Sequence, residues 1–304
     1  METVLVTGGS GLLGKQLCRK LMEKGYKPAI LTRNPDYKSN ITNYFWDPDK
    51  EEINNEAISS ADYIIHLAGV NIGEKRWTKR RKRLIADSRI LTAELLFKKI
   101  KESNRKLKAF ISMSGTGYYG SLTSDRIFSE TDSNAEDFLG EVCRRWENTA
   151  SRFEEIGIRT VMIRSAVVLT ERGGVLSRMA LPVKFGIGSP IGSGKQYFPW
   201  IHVEDLCNIF IKAIEDTKMA GVYNAAAPDQ RINKEFVRTL AKVLKKPFWF
   251  PPVPAILMKL LLGEMSVILL TGSRISSEKI KKAGYLFIFP ELEEALKNLF
   301  GKNR

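Results

Sequence analysis

Apolar and polar positions follow two alternating periods through the first half of the chain. Thr3-Val4-Leu5-Val6 is a short strand-like run, and from Leu12 to Lys24 the leucines at 13, 17 and 21 share one helical face. Ala29–Thr32 predicts a second strand, Tyr44–Trp46 a short third and Asp62–Leu67 a fourth. The fourth is apolar nearly throughout, as expected of a parallel strand covered on both faces. A helix from about Lys79 to Lys101, a strand at Ala109–Met113, a helix over Glu141–Glu155 ended by Gly157, and a strand at Arg159–Ile163 continue the rhythm. This alternation predicts an α/β fold, a Rossmann doubly wound parallel sheet with ligand at the carboxyl ends of its strands. After Val168 the rhythm breaks into a Gly/Pro-rich stretch over 186–194, a helix at Glu204–Asp216 and then short helices and turns. The expected division is a Rossmann domain over 1–170, to which 200–228 returns, and a smaller C-terminal α+β substrate domain from 171–199 and 229–304.

Composition narrows the setting. The three cysteines, Cys18, Cys143 and Cys207, are far apart and odd in number, which suits reduced thiols in a cytoplasmic protein. Two histidines, His66 and His202, with no paired cysteine make a metal site unexpected. The first strand begins almost at once, so no signal peptide is expected. Phe248–Leu270 is the most apolar region, but Pro251, Pro252, Pro254, Lys259 and Glu264 break it short of the ~20 residues of a membrane span. It reads as buried helix, and no membrane partner is expected. The net charge of +14 draws heavily on Lys75–Arg83. Such a run grips phosphates or forms the solvated start of an amphipathic helix, here one with Leu84, Ile85, Ile90, Leu91, Leu95 and Leu96. No zinc finger, RNA-recognition motif or helix-turn-helix accompanies it, so nucleic acid is not an expected partner.

The chemistry starts at Thr7-Gly8-Gly9-Ser10-Gly11-Leu12-Leu13-Gly14. Gly8, Gly11 and Gly14 follow a strand and open a helix, the context a dinucleotide fingerprint requires. Gly8 permits a tight turn, Gly11 lets backbone approach a diphosphate, and Gly14 lets the helix pack close to the sheet. The helix N-terminus then offers free N–H groups to the anion. Readers of NAD place an acid about 20 residues on, against the ribose 2′-hydroxyl. This chain has Thr32-Arg33-Asn34 there, and a guanidinium suits a 2′-phosphate, which points to NADP(H). Leu67, Ala68 and Gly69 end the fourth strand with small residues that let backbone lie against adenine and ribose. Gly192-Ser193-Gly194-Lys195 looks like the end of a P-loop, but Gln196 and Ser189 stand where that motif needs a hydroxyl residue and a glycine.

Thr7–Gly14 with His66–Gly69 resembles the extended short-chain dehydrogenase/reductase superfamily, the NAD-dependent epimerases and dehydratases. Arg76-Trp77 with Ser88-Arg89, Gly117-Tyr118-Tyr119-Gly120, Phe138-Leu139 through Trp146-Glu147, Pro190–Gly194 with Gln196, Trp200–His202, Tyr223–Pro228 and Phe289–Leu292 are similar to one atypical epimerase-like branch. Its C-terminal domain has a poorly defined function. The resemblance implies NADP(H) or NAD(H), and hydride transfer at a carbon bearing oxygen. It implies cofactor contacts at Gly8, Gly11, Gly14, Arg33, Leu67 and Ala68. Arg89 matches the branch on a helix facing the cofactor, where it reaches a phosphate or stays a surface arginine. Val168 lies where backbone approaches the nicotinamide or simply packs.

The pattern departs from the superfamily at its catalytic centre. The Tyr-x-x-x-Lys pair is absent, since Phe138 or Leu139 falls at the tyrosine and Val142 or Cys143 at the lysine. Replacement candidates are Ser114, beside Gly115 at the usual Ser/Thr position, Tyr118 and His202. Each has a structural alternative: a strand-ending bond, aromatic packing and a satisfied histidine. Ser193, Gln196 and Trp200 are candidates for a substrate pocket, or for a hydrogen-bonded loop between domains. Two readings follow. One is an NADP(H)-dependent oxidoreductase or nucleotide-sugar epimerase-like enzyme that works without the dyad. Its substrate would be a small molecule, a sugar nucleotide or a carbonyl compound. The other is a non-catalytic NADP(H)-binding regulatory protein. A homodimer is a further expectation of the fold.

Overall fold

The computed structural model describes residues 1–34, 36–37, 39–171 and 173–301. Its strands are β1 (Thr3–Thr7), β2 (Lys27–Thr32), β3 (Thr42–Asp47), β4 (Glu52–Ile53), β5 (Tyr63–His66), β6 (Ala109–Gly115), β7 (Thr123–Phe128), β8 (Thr160–Ser165), β9 (Val167–Leu169), β10 (Trp200–His202), β11 (Gly221–Ala225) and β12 (Gly272–Ile275). Its helices are α1 (Leu12–Glu23), α2 (Asn55–Ser60), α3 (Lys79–Ser103), α4 (Phe138–Glu155), α5 (Gly174–Lys184), α6 (Val203–Glu215), α7 (Asn233–Val243), α8 (Ala255–Leu262), α9 (Val267–Leu270), α10 (Glu278–Lys282) and α11 (Leu292–Gly301).

Eight strands form one sheet in the order β11-β8-β6-β5-β1-β2-β3-β4, parallel except for β4 against β3. The strand order reverses between β1 and β5, where Thr7 lies beside both Leu31 of β2 and His66 of β5. A doubly wound sheet leaves its ligand crevice at this switch point, beyond the carboxyl ends. One face of the sheet is covered by Leu17, Cys18 and Leu21 of α1 and by Leu206, Phe210 and Ile214 of α6. The other is covered by Leu95, Leu96 and Ile100 of α3, Ala150 and Phe153 of α4, and Ala57 and Ile58 of α2. Covering both faces explains why Asp62–Leu67 shows no alternation.

A second core, around Leu176 and Ala180 of α5, Phe236 and Leu240 of α7, Leu296 of α11 and Trp200, builds a smaller lobe. The pairs β9–β10 and β7–β12 lie outside the large sheet. They were not visible as strands in the sequence, since β9 and β10 have three residues each and the six of β7 are mostly polar with no clear period. The apolar segment 248–270 departs from expectation: α8 buries none of its residues. The lobe core closes on α5, α7 and α11 without it, so the apolar helix is left at the surface.

Candidate functional site

The glycine turn between β1 and α1 is dictated by close approach. Gly8 has φ +68°, and a Cβ there would come within 3.1 Å of the Leu67 carbonyl group. Gly11 N–H donates to the Gly8 carbonyl at 3.0 Å, closing the turn. A Cβ on Gly14 would overlap that same carbonyl, which brings α1 against the strand end. Gly9, not assigned from the sequence, lies against Ile30, whose side chain a Cβ would overlap. By contrast, a Cβ on Gly11 would meet only the Gly8 oxygen, at 3.2 Å. Gly11 caps α1 without a side-chain hydrogen bond, and Ser10, Gly11 and Leu12 are exposed, so the first N–H groups and the positive end of the helix dipole stand at the surface beyond the carboxyl end of β1. Leu12 is exposed on the rim of the crevice and Leu13 is half-buried behind it. Gly173, at the start of α5, approaches Leu12, so the smaller lobe begins at the lip of the same crevice.

Thr7 locks β1 to the end of β5. Its Oγ1 accepts from the Leu67 and Ala68 N–H groups at 3.1 and 3.0 Å and stands 2.9 Å from His66 Nδ1. With two donors already pointing at the oxygen, its own proton goes to Nδ1. His66 Nε2–H then donates to the Arg89 carbonyl at 3.2 Å. Burial pushes the imidazole pKa down to about 4, so the ring is neutral here. This fixed chain end presents Leu67–Gly69 beside the glycine turn. On the other side of β1, Thr32 Oγ1 accepts from Asn34 N–H at 3.1 Å, and Arg33 is exposed. Arg89 packs on Gly69, donating to the Ile85 and Val70 carbonyls at 2.8 and 3.0 Å. Burial lowers its pKa to about 10, which leaves it charged at neutral pH. It organises the loop after β5 from within.

Of the catalytic candidates, Ser114 and Tyr118 meet one buried ion pair, while His202 makes other contacts. Ser114 Oγ donates to Glu147 Oε1 at 2.6 Å in the interior. Glu147 on α4 also receives two bonds from Arg164 of β8, Nε at 2.8 Å and Nη2 at 2.7 Å. Arg164 Nη1 reaches the Tyr119 hydroxyl at 2.9 Å, and that hydroxyl donates to Asn224 Oδ1 at 2.7 Å. Burial opposes the Arg164 charge, but Glu147 outweighs it and the guanidinium pKa is raised. Burial pushes the Tyr119 phenol up to about 12. Sequence reasoning missed this network: Glu147 stood only within a stretch that resembles the family and Arg164 was not singled out, because the partners lie on separate elements. Tyr118 stacks on Arg164, 3.3 Å from guanidinium carbon to ring centre. It is half-buried, and its hydroxyl makes no hydrogen bond to a described residue. His202 caps α6, Nδ1 accepting from Glu204 N–H at 3.1 Å, with its ring on Phe289.

The residues that the sequence reading set at the dyad positions, Phe138 or Leu139 and Val142 or Cys143, all lie on α4. Phe138 meets Trp77 edge-on at 5.1 Å, Val142 is buried, and burial raises the Cys143 thiol to about 11. Ser193 and Gln196 lie in the segment before β10, and Trp200 opens that strand. Ser193 Oγ contacts Gln196 Oε1 at 3.4 Å, and Gln196 Nε2 donates to the Ile191 and Leu269 carbonyls at 2.9 and 2.8 Å. Trp200 is fully buried and donates to the Asp229 carbonyl at 3.0 Å. These bonds brace the smaller lobe. Val168 pairs with Ile201 and is half-buried against the sheet core.

Comparison with known proteins places this geometry. Residues 253–299 match a domain of unknown function, DUF1731. The mouse epimerase family protein SDR39U1 is 34% identical over 97% of this chain and 99% of its own length. The crystal structure of human epimerase family protein SDR39U1 with NADPH has a TM-score of 0.87 at 31% identity, over 99% of this chain and all of that one. A nucleoside-diphosphate sugar epimerase from Corynebacterium glutamicum has a TM-score of 0.80 at 28% identity, over 99% of this chain and 58% of that one. Residues 4–226 match the NAD dependent epimerase/dehydratase family, and with these full-length relatives the chain belongs to that family.

Proposed function

We propose that the protein is a cytoplasmic NADP(H)-dependent oxidoreductase or nucleotide-sugar epimerase-like enzyme that works without the Tyr-x-x-x-Lys dyad. The observation that carries this reading is the crevice at the β1/β5 switch point. There the glycine turn and the open N-terminus of α1 suit a diphosphate, and Arg33 stands exposed after β2. The NADPH bound to the human relative supports the same choice of cofactor. When bound, the nicotinamide would supply or accept the hydride. The residues of this chain would hold the diphosphate, read the 2′-phosphate through Arg33 and shield the ring under the smaller lobe. Proton transfer is assigned to Tyr118, since Ser114 and His202 are engaged in internal bonds while its hydroxyl is not. The substrate class is a carbonyl compound or a sugar nucleotide.

Calorimetric titration with NADPH and NADH tests the cofactor. Arg33→Asp is expected to weaken NADPH by about 1.5–3 kcal/mol, the worth of a charged hydrogen bond, and to leave NADH unchanged. Failure to bind either nucleotide would remove the reading. The second reading, a non-catalytic NADP(H)-responsive regulator, draws on the apolar residues at the dyad positions. It predicts binding with no turnover of carbonyl or sugar-nucleotide substrates. The enzyme reading predicts turnover that Tyr118→Phe lowers while nucleotide affinity stays.

A further inference from the structure

Helix α8 carries seven apolar residues in eight and buries none of them. Ile256 and Leu260 are 68% and 69% exposed, and the next ridge, Leu257 and Leu261, is also open. Trp249, six positions before the helix, is exposed too. A contiguous apolar surface of this kind marks an interaction site.

What lies beside it identifies the partner. Arg76 Nη2 donates to the Leu260 carbonyl at 3.3 Å, and Lys82 pairs with Glu264 just past α8. The run Lys75–Arg83 therefore flanks the apolar helix. Lys75, Lys79, Arg80, Arg83 and Lys259 are exposed, and none forms an ion pair with a described residue. The first five residues of α3 are all Lys or Arg, with no acid in the first turn. Cations there oppose the helix dipole, so the arrangement costs stability unless an anion answers it. A second copy of this face would bring like charges together. Nucleic acid would answer the charge but leave the aliphatic ridge in water.

We propose that α8 and the start of α3 form one face that docks on an anionic lipid surface. The Ile256–Leu260 ridge enters the acyl boundary and the basic run meets the headgroups, as in interfacial helices. This is attachment without spanning: among the described residues, no helix is long and apolar enough to cross a membrane. It departs from the expectation of no membrane partner, because the sequence placed the apolar segment inside.

The test is sedimentation of the full chain with vesicles of phosphatidylcholine alone, or of phosphatidylcholine mixed with phosphatidylglycerol. The chain is expected to bind the mixed vesicles and to be released as salt rises. Ile256→Ser/Leu260→Ser should lower partitioning by about a hundredfold or more. Lys79→Glu/Arg80→Glu should lower it by at least about twentyfold, near fivefold for each charge. Both variants change exposed residues; Ile256→Ser/Leu260→Ser should keep the wild-type unfolding midpoint, and Lys79→Glu/Arg80→Glu should keep or raise it, because acids in the first turn suit the helix dipole. Three results would overturn the proposal. One is no sedimentation with anionic vesicles, and another is binding indifferent to the Ile256/Leu260 change. The third is a dimer, or an oligonucleotide complex, formed by a chain that ignores vesicles.

Discussion

His66 shows how one side chain can couple the crevice to pH. Its Nδ1 takes the Thr7 proton, its Nε2–H is used by the Arg89 carbonyl, and burial holds its pKa near 4 against an ordinary 6.5. The unfolded chain therefore binds the proton more readily. The contribution of His66 is fully present above about pH 6.5 and is lost as pH falls toward 4. Between pH 7 and pH 5 this amounts to about 2 kcal/mol. Urea unfolding at the two pH values should show that loss in the wild type and a flatter dependence in His66→Gln; equal slopes would discard the assignment. None of this was readable from the sequence, where His66 is a strand-ending histidine whose partner lies 59 residues away. The glycine turn was readable because all its constraints lie within Thr7–Gly14. Even there Gly9 escaped, since it faces Ile30 on the neighbouring strand.

At the scale of elements, α4 and β8 are joined by a buried ion pair that shape alone does not require. The Arg164 and Glu147 side chains are 3% and 7% exposed and share two hydrogen bonds. Removing one partner strands a charge, while replacing both with apolar residues of similar volume is often tolerated. Glu147→Leu is expected to cost about 3–5 kcal/mol, and Glu147→Leu/Arg164→Met to recover most of it. A double-mutant cycle in urea would test this, and additive losses would show that the pair acts only through packing. The helices and buried strands that hold the network were legible from periodicity. Their pairing was not, because periodicity assigns a face and leaves open which polar group lies across it. The same gap explains α8. An apolar octamer ordinarily packs inward, and only the assembled lobe shows that α5, α7 and α11 close the core without it.

For the whole molecule, the question is how far the smaller lobe governs the crevice. Asp205, in the first turn of α6, ties the C-terminal segment to the Rossmann side. Its Oδ1 accepts from the Tyr285 hydroxyl at 2.7 Å and from Ile288 N–H at 2.8 Å, and Oδ2 accepts from Phe289 N–H at 3.0 Å. Burial raises the carboxyl pKa despite these three donors, which marks the desolvation they offset. Asp205→Asn would turn an amide NH2 toward one of the donors and leave it unanswered, a loss of about 2–3 kcal/mol in urea unfolding. The glycine turn does not use Asp205, so NADPH should still stabilise the variant. At a hundredfold excess over its dissociation constant the gain is about 2.7 kcal/mol, as for the wild type. If that gain is kept, the cofactor is held by the sheet and α1, and the lobe acts on substrate. If it vanishes while the fold remains, the lobe helps to shape the cofactor site, consistent with α5 beginning where Gly173 meets Leu12 at the lip of the crevice.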